Sequence, residues 1–179
     1  PHHVHVIAEK DAIAATLQPV AHEFDVALSP IRGYVSDPFV EEIAEEWNRI
    51  SKPITCYYLG DWDASGLDLE RDARKRLTEL CDRDFEWERL ALNPSDFDAF
   101  DLIELAPKKN DPRYRRFVSE HGPRCAELDA IPSDELRRRL REAIERHIPA
   151  GEWERLQRIE KIERDQWQET MAIFSQGAA

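Results

Sequence analysis

Over its first half the chain alternates short apolar runs with longer stretches of helical periodicity. His3-Val4-His5-Val6-Ile7-Ala8 reads as a strand, and Ile13, Leu17 and Val20 then recur at i, i+4 and i+7, the stripe of an amphipathic helix. Pro19 is expected to kink or shorten that helix near its end. Phe24 to Ser29 predicts a second short strand. Pro38 marks a helix start, Phe39, Ile43, Trp47 and Ile50 its buried side, and Pro53 its end. The unbroken run Ile54-Thr55-Cys56-Tyr57-Tyr58-Leu59 predicts a buried strand, followed by Leu69, Ala73, Leu77 and Leu80 at helical spacing with Ser65 as the cap. Phe85 to Leu92 predicts a fourth strand, although Phe85, Trp87 and Arg89 alternate imperfectly. Strands separated by helices of this length imply parallel βαβ units. The fold class expected is α/β: a mostly parallel, Rossmann-like four-stranded sheet flanked by helices, with a helical C-terminal extension.

Beyond residue 92 the pattern changes. Asn93-Pro94-Ser95-Asp96 predicts a turn and a short capped helix, and residues 106–116 form a proline-broken basic loop. Helices are expected over 133–147 and 151–174, the first opened by Ser133. The division expected is an α/β domain over 1–92 and a basic loop with helical extension over 93–179, packed on it. Trp153, Leu156, Ile159, Ile162, Trp167 and Met171 give the last helix a stripe expected to face the parent domain, with a dimer or partner-binding helix as the alternative.

Composition narrows the class. A chain of 179 residues with 41% hydrophobic content supports a packed α/β core and an appendage. With 35% charged residues and a net charge of -12, it is not a protein coated in positive surface, though local basic patches govern phosphate contact. No segment approaches the roughly 20 apolar residues that span a bilayer. Cys56, Cys81 and Cys125 are scattered and odd in number, so buried thiols in a reducing, cytoplasmic compartment are expected. His2, His3 and His5 read as decoration of a strand rather than ligands. A strand that begins at once, without an initiating Met, suggests a portion of a longer protein.

The candidate chemistry sits where strands end. Leu59-Gly60-Asp61-Trp62-Asp63-Ala64-Ser65-Gly66 puts two acids one residue apart at the end of the buried strand, followed by a glycine-containing turn and a helix. Open α/β sheets bind ligands at the carboxyl ends of their strands, and two such carboxylates suit Mg²⁺, which takes oxygen ligands and keeps several waters. Glu9 ends the first strand in the same way and would share that edge. Asp residues after strands also serve simply as turn formers, and Asp11 as a helix cap.

Val6-Ile7-Ala8-Glu9-Lys10-Asp11-Ala12-Ile13, then Arg32-Gly33-Tyr34, then Leu59-Gly60-Asp61-Trp62-Asp63-Ala64-Ser65-Gly66-Leu67-Asp68 together resemble the successive motifs of a Toprim domain. The variety they resemble is that of the topoisomerase VI A subunit, its meiotic break-forming relatives, and related bacterial and phage proteins. The similarity covers 1–92; Trp62 and Ala64 fall at positions that vary in such domains. The resemblance implies Glu9 as general acid/base and metal ligand, Asp61 and Asp63 as ligands of Mg²⁺ (or Mn²⁺), and action on DNA phosphodiester bonds. The chain would be a nuclease, or the metal-bearing half of a topoisomerase-like protein whose attacking tyrosine lies on another region. Tyr57 and Tyr58 are expected to be packing residues. The alternative is a non-catalytic, metal-stabilised module that binds nucleic acid or protein; primase-type nucleotidyl transfer has no separate nucleotide pocket to support it.

Lys10, beside Glu9, and Arg32, at the end of the second strand, are candidate phosphate contacts. Lys108, Lys109 and Arg113, with Arg115 and Arg116, place a second cluster in the basic loop, where Tyr114 would stack a base. The mixed charges around Arg137, Arg138, Arg139 and Arg141 read instead as a solvated helix face. The partners expected are DNA and other domains of a longer parent protein, and the last helix is compatible with a homodimer.

Overall fold

The computed structural model describes residues 2–31, 37–106 and 111–177. Four parallel strands, β1 (His3–Ala8), β2 (Ala27–Pro30), β3 (Ile54–Leu59) and β4 (Glu86–Ala91), form one sheet in the order β2-β1-β3-β4. Between them run α1 (Asp11–Glu23), α2 (Asp37–Arg49) and α3 (Ala64–Leu80). The crossover through α1 runs from β1 to one edge, whereas those through α2 and α3 run the other way. Right-handed crossovers therefore place α1 on one face of the sheet and α2 and α3 on the other. The expected α/β class, with a parallel four-stranded sheet between helices, is what the chain forms.

β3 is central, and all six of its residues are buried. Such strands are apolar on both faces because helices cover both. On the α2/α3 face, Ile7, Val40, Ile43, Trp47, Cys56, Tyr58, Ala73 and Leu77 pack together. Inside this layer the Trp47 indole N–H donates to His5 Nδ1 at 3.1 Å, which leaves the proton of the His5 ring on Nε2, 2.9 Å from Ser29 Oγ. Burial, with the neighbouring His3, lowers the His5 pKa to about 3.

Three local expectations need correction. α1 continues past Pro19 to Glu23, because Val20 and Ala21 beyond it are buried and their packing carries the helix past the missing N–H. The second strand starts at Ala27 rather than Phe24: Asp25 takes a left-handed conformation (φ 52°), and the Val26 N–H donates to Ala21 O at 2.8 Å, so Phe24–Val26 form the turn. The cap of α3 is Asp63 and not Ser65.

The chain divides into two compact units, Pro1–Ile144 and Glu145–Ala179. The expected boundary at 92 falls inside the first of these. There α4 (Asp96–Ala99), α5 (Tyr114–His121) and α6 (Ser133–Glu145) follow the sheet. The Tyr57 hydroxyl donates to Ala143 O at 3.1 Å, Arg139 donates to Leu90 O and pairs with Asp96, and Leu128, Leu136 and Leu140 are buried. In the second unit, α7 (Glu152–Gly177) carries the apolar stripe, and Leu156, Ile159, Ile162, Trp167 and Met171 are 43% to 66% exposed. Among the described residues, no helix is long and apolar enough to cross a membrane.

Trp47→Phe removes the indole donor to His5 Nδ1 while keeping most of the ring packing. It should cost about 1–3 kcal/mol, the usual penalty for orphaning a buried polar atom, read as a lower midpoint in urea with unchanged slope. A histidine kept neutral by burial favours the folded state above its unfolded pKa. Wild-type stability should therefore fall between about pH 6.5 and pH 3, and His5→Gln should flatten that part of the profile.

Candidate functional site

The order β2-β1-β3-β4 makes the gap between the carboxyl ends of β1 and β3 the switch point, where successive crossovers depart in opposite directions. Ala8 stands opposite Leu59 in the register. The next residues, Glu9 and Gly60-Asp61, therefore meet at that gap. The Glu9 N–H donates to Leu59 O at 2.9 Å, and the Asp61 N–H donates to Glu9 Oε2 at 2.7 Å. Burial raises the Glu9 pKa to about 7, helped by the Asp61 and Asp63 charges and opposed by the Asp61 N–H and Arg89.

Asp61 is nearly buried, at 9% exposure. Its Oδ1 accepts from the Leu128 N–H at 2.8 Å, and its Oδ2 lies 3.2 Å from Lys10 Nζ. Burial holds its pKa above the usual aspartate value, while the Leu128 N–H and the Lys10 ammonium pull it down. Asp63 Oδ1 accepts from the Ser65 and Gly66 N–H groups at 2.9 and 2.7 Å and so caps α3. Close backbone approach makes Gly66 necessary, whereas Gly60 sits against the side chains of Glu9 and Tyr58. A Cβ on Gly66 would stand 2.5 Å from Asp61 O, and one on Gly60 would stand 2.6 Å from Glu9 Oε2.

Arg89 supports this turn from beneath, and its position in an imperfectly alternating strand was its only signal in the sequence. Its Nη2 donates to Gly60 O at 2.7 Å and to Asp61 O at 2.6 Å, its Nε donates to Leu92 O at 2.7 Å, and its Nη1 pairs with Glu70. The guanidinium also lies over the Tyr58 and Trp62 rings. Glu127 and Asp129 are two further acids that local sequence pattern does not reveal. They arrive because Trp62 and Ala126 exchange backbone hydrogen bonds as an antiparallel bridge, which sets both acids beside Lys10 (3.4 Å to Glu127 and 2.9 Å to Asp129).

Glu9, Asp61 and Asp63 thus share one edge, but their carboxylates do not close on one another. Among the described residues, the group of metal-ligand side chains with donor atoms within 4.8 Å of each other is His3, His5 and Glu46. That group lies at the opposite end of β1, and both His5 ring nitrogens are already engaged, by Trp47 and Ser29. The switch-point acids still suit a hard cation chemically. Each ties one oxygen to backbone N–H groups and has a second oxygen to offer, and Mg²⁺ keeps several waters in its shell. Binding at Asp61 Oδ2 requires Lys10 to move.

The basic residues divide in the same way. Lys10 lies in the acid cluster, which raises its pKa. Arg113 does not project from a free basic loop: it pairs with Asp111 at 2.9 Å and with Asp68 at 3.1 Å. Arg32, Lys108 and Lys109 lie outside the described residues. A cleft of about 250 Å³ opens beside Asp63, lined also by Ser65, Arg113, Tyr114 and Cys125. A larger groove of about 660 Å³ lies between α3 and α5. No family model matches this chain, and no curated protein matches it.

Gly66→Ala should displace the Asp61 carbonyl and with it the acidic turn, lowering the melting temperature and abolishing any divalent-ion binding measured by calorimetry. Glu9 has a raised folded-state pKa, so the stability it contributes in its protonated form is lost as pH rises from about 4.5 through about 7. Glu9→Gln keeps an acceptor for the Asp61 N–H without the charge. It should stabilise the metal-free chain at pH 8 by on the order of 1–2 kcal/mol, with little effect at pH 4.5, in paired denaturation curves.

Proposed function

We propose that this chain is a Mg²⁺-dependent, Toprim-type domain acting on DNA phosphodiester bonds. It works either as a nuclease or as the metal-bearing half of a protein like the topoisomerase VI A subunit, with the attacking tyrosine outside this chain. The observation that carries the reading is the meeting of Glu9 and Asp61 at the switch point between β1 and β3, with Asp63 two residues on at the start of α3. Glu9, Asp61 and Asp63 would hold the ion through the oxygens not tied to backbone; Mn²⁺ suits the same donors. When bound, Mg²⁺ supplies charge neutralisation at the phosphoryl group and at the leaving oxygen.

The rest of the chemistry belongs to the chain. Glu9 has a pKa of about 7 in the metal-free chain, and a bound ion would pull it down, so its carboxylate would serve as the base that takes a proton from the attacking hydroxyl. Lys10 would place a positive charge beside the scissile phosphate. The cleft next to Asp63 and the groove between α3 and α5 share Ala64 and Arg113 in their linings, and together would give a strand a route past the site. Tyr57 donates its hydroxyl to Ala143 O, and Tyr58 is buried with its pKa pushed far up by burial, so neither is an attacking group. Water, or a tyrosine from another domain of a longer parent protein, fills that role. The setting proposed is cytoplasmic, with DNA as the partner and a homodimer through the exposed stripe of α7 compatible with it.

A second reading has its own observation. Lys10 already pairs with Asp61, Glu127 and Asp129, so the nearly buried Asp61 carboxylate has a cation partner from the chain itself, which suits a non-catalytic binding module.

Incubating the protein with supercoiled plasmid and Mg²⁺ or Mn²⁺ separates the two. The enzymatic reading expects metal-dependent nicking that falls by about 100-fold or more in Asp61→Asn and Glu9→Gln, the scale on which acid/base groups act. Retention of DNA without nicking in any metal points to the module.

A further inference from the structure

We propose that Lys10 is a resident cation of the acidic turn, which a divalent ion must displace from Asp61, and that Glu127 and Asp129 receive the displaced ammonium. The proposal deepens the metal-binding reading above and rests on it. Lys10 Nζ lies 3.2 Å from Asp61 Oδ2, 2.9 Å from Asp129 Oδ2 and 3.4 Å from Glu127 Oε2. Three carboxylates thus face one ammonium, which has three hydrogens to donate.

The three acceptors are not equivalent. The Asp61 side chain is 13% exposed, whereas Glu127 and Asp129 are 58% and 49% exposed. A nearly buried carboxylate needs a positive neighbour far more than a solvated one does. Lys10 therefore does for Asp61 what a metal would do. An ammonium and a divalent ion on the same oxygen repel each other, so the two exclude one another there.

The departing side chain has somewhere to go. The lysine stem is flexible and its ammonium is a compact point charge with rotatable donors. Glu127 and Asp129 flank Leu128, whose N–H is bonded to Asp61 Oδ1 on the other side of the same carboxylate. The receiving acids are thus fixed to the residue being vacated. A small swing of Lys10 would leave it paired with Asp129 and Glu127, and Asp61 Oδ2 open.

Calorimetric titration of the full chain with Mg²⁺ at low ionic strength tests this. Lys10→Met, with Lys10→Gln beside it in case either variant folds poorly, should bind Mg²⁺ roughly tenfold or more tightly than wild type. Glu127→Gln/Asp129→Asn should bind several-fold more weakly, since Lys10 then has no alternative partner. In the Lys10→Met background the same pair of substitutions should have little further effect, because its influence acts through Lys10. If the losses add equally in both backgrounds, the two acids act on the ion directly and the handover is wrong. Equal affinity in wild type and both Lys10 variants overturns the displacement while leaving the metal site standing. Absence of binding in every variant overturns the metal-binding reading and this inference together.

Discussion

The hydrogen bond from the Asp61 N–H to the Glu9 carboxylate joins two strand ends that are far apart in sequence, and the candidate site is arranged around it. It exists only because β1 and β3 are parallel neighbours with Ala8 opposite Leu59. A slip of one residue would turn every side chain of β1 to the other face of the sheet and carry Glu9 away from Asp61. The buried pattern makes such a slip costly, since His5 must reach Trp47 on one face while Val4 and Val6 stay in the core. The same contact places a carboxylate in partly buried surroundings beside two others, which is why Glu9 holds its proton towards neutral pH.

Packing acids at a tight turn brings backbone carbonyls together on the inner side, and they need donors. Arg89 supplies them to Gly60, Asp61 and Leu92 at once, with Glu70 balancing its charge and Trp87 donating to the same Glu70. A lysine would not reproduce this, because the planar guanidinium fork reaches several acceptors in fixed directions. The polarity of the loop is thereby sorted. Carbonyls point inward to Arg89, while backbone N–H groups of the turn and of the α3 start hold one oxygen each of Glu9 and Asp63.

Much of this was legible along the chain. Strands β1 and β3 declare themselves as apolar runs that end in acids, and right-handed crossovers then put both ends on one edge. What periodicity misses is whatever depends on a distant partner. Ser65 looks like a cap, but it is Asp63, read as a metal ligand or a turn former, that caps α3. Pro19 looks like a helix terminator until the burial of Val20 and Ala21 is known. Glu127 and Asp129 lie in a segment with no local signal, and only its pairing with Trp62 delivers them to Lys10. Arg113 reads as a phosphate contact because Asp68, one of its partners, is 45 residues away.

Charge pairing bears directly on how a polyanion would approach. Arg139 is held by Asp96 and Glu135, Arg141 by Glu23, and Arg113 by Asp111 and Asp68. In a chain of net charge -12 such internal pairs staple segments together and add little attraction for phosphate beyond their own carboxylates. The switch-point edge is more negative still, with Asp61, Glu127 and Asp129 around Lys10 and with Glu9 and Asp63 near Asp61. A phosphodiester brought there unaided would meet repulsion at contact range, where salt screens poorly. A divalent ion on the acids would offset part of that charge and present a cation to the phosphate, with Lys10 held beside it by Glu127 and Asp129. In this geometry, attraction for nucleic acid and readiness for chemistry would come from the same ion.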